Sequence, residues 1–210
     1  MKKGIISLLL VFSMTFSKAQ NIEDVFVKMP EHIIIQLEEA WRKDLVDLYK
    51  SGKTATLENT MQGQSTLHKL TNDYLLLQST EQSTVEMKLL PLVNNTYIIC
   101  LIETVFGPVA DSRISFFSTE WMRINTNELF VPVAKDWFLK DDADRLSPKF
   151  EDAMAKLDMY LVKYSLCAEN TDLTAEYTTP QNLEDKAREK ALTFLKTSVK
   201  TYEWKSGRFE

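Results

Sequence analysis

Apolar and polar positions recur along this chain with two different periods. Ile34, Leu37, Trp41, Leu45 and Leu48 return every three or four residues, with Glu38, Glu39, Arg42, Lys43 and Asp47 between them. That spacing gathers one apolar stripe on one side of a helix. Pro30 suits a helix start, where its missing N–H costs nothing, and Ser51-Gly52 suits an end. The pattern predicts a helix over 31–50 with Trp41 buried, and the stripe reads as core rather than as a cofactor box.

Beyond Gly52 the period shortens. Runs of Thr, Leu, Ile and Tyr at 54–60, 66–71, 74–79, 84–93, 96–106, 111–118 and 121–124 read as strands, with turn residues Gln62-Gly63-Gln64, Asn72-Asp73 and Gly107-Pro108 between them. Asn94-Asn95 tolerates positive φ and predicts a tight hairpin. The expectation is a meander of antiparallel strands with one helix.

The second half carries similar phrases. "EMKLLPL" at 86–92 aligns with "DMYLVKY" at 158–164, and "ETVFGP" at 103–108 with "AEYTTP" at 175–180, both at an offset of 72 residues. "STEWMRI" at 118–124 returns as "TYEWKSGRF" at 201–209, which sets Trp204 83 residues after Trp121. The interval 181–196 has helical spacing at Leu183, Ala187, Ala191 and Leu195. The fold class this predicts is α+β, a tandem repeat of helix-plus-antiparallel-meander units, with a helix inserted before the final hairpin of the second. Residues 21–125 form the first unit and 126–210 the second. Because a gapless offset preserves the face of every side chain, Met87 and Met159 should face alike, as should Leu89 with Leu161 and Leu101 with Leu173. The connector carries Phe130, Val131, Val133, Trp137 and Phe138, so it should pack between the units.

Residues 1–20 have the layout of a secretory signal peptide: Lys2-Lys3, an apolar run at 5–12, and Ser17-Lys18-Ala19 as the cleavage site. The apolar run is too short to span a bilayer comfortably, so the chain is not expected to be membrane-spanning. The formal charge of −5 becomes −8 once Lys2, Lys3 and Lys18 are removed. An acidic surface argues against nucleic acid and anionic lipid as partners. Export makes a Cys100–Cys167 disulfide chemically possible, but each cysteine lies in an apolar run where a free buried thiol is also common.

Candidate chemistry is sparse. The five glycines never form GxGxxG or a P-loop, and no GxSxG elbow is present. His32 and His68 have no nucleophile at a recognisable spacing. Asp141, Asp142 and Asp144 fail as a calcium loop, because Ser147 stands where glycine is needed, and read instead as turn and cap residues. Glu38-Glu39 are neighbours on a helix surface rather than a glycosidase pair. No catalytic residue, cofactor or metal site is therefore expected. Trp121 and Trp204, strand-end aromatics beside charges, are the candidate ligand-facing residues.

The phrases "WRKDLVDLY" (41–49), "LTNDYLLLQ" (70–78), "EMKLLPL", "DSRISFF" (111–117), "EYTTP" and "YEWKSGRF" together resemble a family of exported proteins from the Bacteroides group of bacteria, catalogued as a domain of unknown function. The resemblance covers nearly the whole mature chain. It implies export, to the periplasm or beyond the cell, and a compact α+β fold. It carries no site residues. The tandem layout is also similar to secreted modules of the β-lactamase-inhibitor-protein type, in architecture alone. The expected function is a noncatalytic envelope module that binds a protein, peptide or glycan. The alternative is a hydrolase whose residues are scattered through the chain.

Overall fold

The computed structural model describes residues 21–210, so the leader lies outside the described residues. The chain opens with helix α1 (Ile22–Val27), capped by the Asn21 side chain, which accepts from the Asp24 N–H at 2.8 Å. The second helix, α2, runs over Glu39–Lys50. It starts eight residues later than the spacing predicted, because residues 31–37 form turns. Arg42 explains the shorter helix. It is 1% exposed, and its guanidinium donates to the carbonyls of Val27, Met29 and Leu37, which pins the chain reversal between the two helices. Carbonyls left bare by a reversal need donors, and one planar fork reaches all three. Ile34 and Leu37 are buried as expected. On α2 the buried side chains are Arg42, Leu45 and Val46, while Trp41 is only half-buried.

Seven strands follow as an uninterrupted antiparallel meander: β1 (Thr56–Glu58), β2 (Gln64–Leu70), β3 (Tyr74–Thr80), β4 (Ser83–Pro91), β5 (Tyr97–Phe106), β6 (Ala110–Ser118) and β7 (Arg123–Ile124). Asn95 takes φ 59° in the β4–β5 turn, as the Asn-Asn pair predicts. The long apolar runs of β4 and β5 follow from burial on both faces. Val85, Met87, Leu89, Ile99 and Leu101 pack with α1 and α2. Leu90, Ile98, Cys100 and Ile102, one residue out of step, pack against the second half of the chain.

That second half is built differently. After helix α3 (Thr126–Leu129), a 3-10 turn (Lys135–Phe138) and helix α4 (Pro148–Met154) come strands β8 (Val162–Leu166) and β9 (Leu173–Tyr177). Helix α5 (Asp185–Leu192) and strands β10 (Lys200–Tyr202), β11 (Trp204–Lys205) and β12 (Arg208–Phe209) complete it. Strands β8, β9 and β10 form a three-stranded sheet, and β11 and β12 a separate hairpin. The outer edge of β8 is sealed by side chains of the large sheet. The Val162, Tyr164 and Leu166 amides donate to Asp111 Oδ1 (3.1 Å), Ser112 Oγ (3.0 Å) and Glu86 Oε2 (2.9 Å). Alternate amides of an edge strand point the same way, so three residues close it.

The tandem repeat is not present in this arrangement. Glu86 pairs with Ile102, so an offset of 72 would pair Asp158 with Thr174, but Thr174 pairs with Ser165. The matched pairs do not share environments either: Met87 is fully buried and Met159 is 40% exposed, while Leu101 lies in the helix-side core and Leu173 in the other. Amphipathic strands match one another by period alone, and the shared phrases reflect that period. The likeness to the β-lactamase-inhibitor-protein type rested on that repeat. The inserted helix exists but is shorter than 181–196. It is preceded by a 3-10 turn (Thr179–Asn182), and it buries Ala191. The connector does pack inward, with Phe130, Val133 and Phe138 buried, whereas Val131 is 71% exposed.

Candidate functional site

Trp121 and Trp204 sit on opposite faces of the large sheet, so the structure does not bring them together. Trp121, at φ 63°, packs on Phe117 in the helix-side core and donates its indole N–H to the Val25 carbonyl at 3.1 Å. Trp204 packs against Phe116 and Phe209 in the other core and donates to the Pro91 carbonyl at 2.8 Å. Each indole thus ties two distant parts of the chain. Cys100 is buried and Cys167 half-buried, and both thiols are free. Exposed His68 meets Gln78 at 2.9 Å. Asp141 pairs with Lys196, and the Asp144 carboxylate accepts from the Leu146 amide in the turn before α4. Among the described residues no group of three or more His, Cys, Asp or Glu side chains could hold a metal ion, and no helix is long and apolar enough to cross a membrane.

Sequence reasoning missed a buried polar seam between the two sheets. Glu86 and Lys88 alternate with Met87 and so share the face of β4 turned toward β8. Glu86 accepts from the Leu166 amide at 2.9 Å and from the Tyr74 hydroxyl at 3.1 Å. Desolvation raises its carboxyl above the ordinary range, and these two hydrogen bonds oppose the shift. Burial, and then the nearby Glu86 charge, push the Tyr74 hydroxyl upward as well. Lys88, 1% exposed, reaches Asp73 at 3.0 Å and the Ala168 carbonyl at 3.0 Å. The seam's donors and acceptors satisfy one another, which suits a structural role.

The concave surface lies elsewhere. A cleft of about 580 Å³ opens between the connector and strands β10 and β12. One wall is the stretch 130–134, here called the strap. It is extended at both ends, with Phe130 at φ −154°, ψ 131° and Ala134 at φ −74°, ψ 147°. Phe130 anchors it, with ring centroids 5.1 Å from Tyr202 and 5.4 Å from Tyr164. The Tyr202 hydroxyl donates to the Val131 carbonyl at 3.2 Å, and the Tyr160 hydroxyl donates to the Val133 carbonyl. The Val131, Val133 and Ala134 amides have no acceptor among the described residues. The opposite wall carries Lys200, whose ammonium sits 4.5 Å from the Tyr202 ring centroid and 5.6 Å from that of Trp137. No carboxylate lies within ion-pair distance of Lys200 among the described residues, whereas Arg208 pairs with Glu210 at 2.5 Å. Chemically, the cleft offers free amide donors, aromatic faces and a cation. The only trace of it in the sequence was the run of Phe130, Val131, Val133 and Trp137 in a segment otherwise resembling a linker.

The same fold occurs in a domain of an uncharacterized protein from Porphyromonas gingivalis W83. The two are 30% identical, the match covers 90% of this chain and 98% of that one, and the TM-score is 0.82. No curated protein matches the chain. A family model matches residues 14–209, and the chain belongs to that family, described as Protein of unknown function (DUF3256).

Proposed function

We propose that the protein is a noncatalytic, exported binding module of the bacterial cell envelope, in an exported Bacteroides-group family, and that the cleft beside the strap is its ligand site. Export rests on the signal-like order of charge, apolar run and small residues in 1–20. The observation that carries the binding reading is the strap. Tyrosine hydroxyls hold its Val131 and Val133 carbonyls, Phe130 and Val133 anchor it in the core, and Val131 stands exposed with amides that bond no other described residue, beside Lys200, which has no ion-pair partner among the described residues. Its volume falls within the roughly 300–1,000 Å³ usual for ligand sites. A hydrolase finds less support. Among the described residues Glu86 is the carboxyl raised from its ordinary range, and its hydrogen bonds are taken up inside the seam between the sheets.

Capture from envelope extract tests this reading. Immobilised protein comprising residues 21–210 should retain a ligand that is recovered intact. A Val131→Asp/Lys200→Glu variant with unchanged circular dichroism should lose it. Equal retention by the variant, or recovery of the ligand only as cleaved product, would overturn the proposal.

A further inference from the structure

Resting on that reading, we infer that the ligand carries a single carboxylate on an apolar body, the carboxylate seated on Lys200 and the apolar body lying against Trp137 and Val131. The first observation is a contrast between two lysines on one indole. The Lys196 and Lys200 ammoniums lie 5.4 Å and 5.6 Å from the Trp137 ring centroid. Lys196 is neutralised by Asp141 at 3.0 Å. Lys200 is half-buried and also lies 4.5 Å from the Tyr202 centroid, yet its ammonium has no ion-pair or hydrogen-bond acceptor among the described residues. Aromatic faces hold an ammonium in place without neutralising it. An anion entering the cleft would complete it.

The second observation fixes how much charge that anion brings. The cleft is lined by two cations and two carboxylates, Lys200 and Arg208 against Glu128 and Glu210. Arg208 and Glu210 pair with each other at 2.5 Å, and Glu128 accepts from the Asn125 side-chain amide at 3.0 Å. What remains is one localised cation rather than a positive patch, with two carboxylates in the same walls to repel further negative charge. A carboxylate brings one charge and a phosphomonoester nearly two, so the balance favours the carboxylate over phosphates and sulfated sugars.

The third observation concerns the rest of the ligand. Val131 is 71% exposed, Pro132 and Ala134 are exposed, and half-buried Trp137 is held edge-on to Phe138 at 5.1 Å. Apolar groups left in water along a concave wall suit an apolar ligand surface. The Tyr202 and Tyr160 hydroxyls, which could bond a sugar, are turned instead to the Val131 and Val133 carbonyls. A polyhydroxylated chain would lose bonds to water against this wall and regain few of them. A free acyl chain and the C-terminal end of an apolar peptide both present the chemistry that fits.

The test is an NMR titration of protein comprising residues 21–210. The probes are sodium decanoate and an acetylated Gly-Ser-Val-Phe peptide with a free C-terminal carboxylate. Each is compared with its uncharged counterpart, decanamide or the amidated peptide. At least one acid should shift the Trp137 indole and the Lys200 side chain, and the acid that does so identifies the source of the carboxylate. Its uncharged counterpart should bind about tenfold more weakly, the value of one charge-assisted contact. Folded Lys200→Gln protein should erase that difference, and Lys196→Gln, on the same indole, should preserve it. Equal binding of the uncharged counterpart, or no greater effect of Lys200→Gln than of Lys196→Gln, would overturn the carboxylate and leave the cleft standing as a site. Tighter binding of decyl phosphate than of either acid would also overturn it. Absence of shifts with every probe overturns the inference, and joined to retention of an envelope ligand by the Val131→Asp/Lys200→Glu variant it removes the cleft reading too.

Discussion

Arg42, Glu86 and Lys88 show why residue identity alone misleads. Each is a charged residue in an amphipathic stretch, and each reads as solvated until the fold encloses it. Arg42 took the buried place that the helical period gave to Trp41. Its planar fork spreads its donors across three carbonyls in fixed directions, a reach that the compact ammonium of a lysine does not match. Arg42→Ala should therefore cost about 3–5 kcal/mol in urea unfolding, since three carbonyls lose their donors at about 1–3 kcal/mol each, and Arg42→Lys should recover only part of it. A loss below about 1 kcal/mol for Arg42→Ala would mean the reversal at 28–38 holds itself. Glu86 sets a pH dependence. Its carboxyl is raised in the fold, first by desolvation, so the folded protein binds that proton more tightly than the unfolded chain. The stability this gives is fully present below the unfolded carboxyl range and is lost as pH rises through the raised folded value. Glu86→Gln should remove that slope. Its stability relative to wild type should be greatest at neutral pH and should shrink as the solution is acidified. An unchanged pH slope in the variant would assign the shift to another group.

At the scale of elements, the first half was legible and the second was not. All seven strands of the meander followed from period and turn chemistry, with four of the six turns carrying their own signal: Gln62-Gly63, Asn72-Asp73, Asn94-Asn95 and Gly107-Pro108. Local signals suffice where sequential strands pair with one another. The second half depends on contacts that no local pattern encodes. Strand β8 is closed by Asp111, Ser112 and Glu86, which lie 51, 52 and 80 residues away in sequence. Strap residues 130–134 are held by Tyr202 and Tyr160. The helix predicted from residue 31 began late because a tertiary contact from Arg42 shaped the chain before it. The β8 seam can be tested on one atom. Ser112 Oγ accepts from the Tyr164 amide at 3.0 Å and meets Thr104 Oγ1 at 2.8 Å. Ser112→Ala should leave that amide unsatisfied and cost about 1–3 kcal/mol, with faster hydrogen exchange at Tyr164 than at its neighbours in β9. Unchanged exchange at Tyr164 would show that the seam does not depend on this bond.

For the whole molecule, the large sheet is a shared wall. Its helix-side face is built from the first half alone, and its other face takes Tyr164, Leu166, Leu173 and Tyr202 from the second. The second half therefore buries its apolar residues on a surface the first half provides. Its β10 edge and strap remain as the cleft, on the side of the molecule away from α1 and α2. The leader reading belongs to this scale too: N-terminal sequencing of the exported protein should find a start near Gln20 or Asn21, and an intact Met1 would contradict it. The claim that the strap is where the molecule meets its ligand is tested most directly by photo-crosslinking in intact cells. A photoreactive amino acid is placed at Val131 on the strap, or at Met61 in the β1–β2 turn, which is 55% exposed. The account predicts a discrete adduct from position 131 that is abolished by Lys200→Glu, and none from position 61. An adduct from 61 with none from 131 would contradict it.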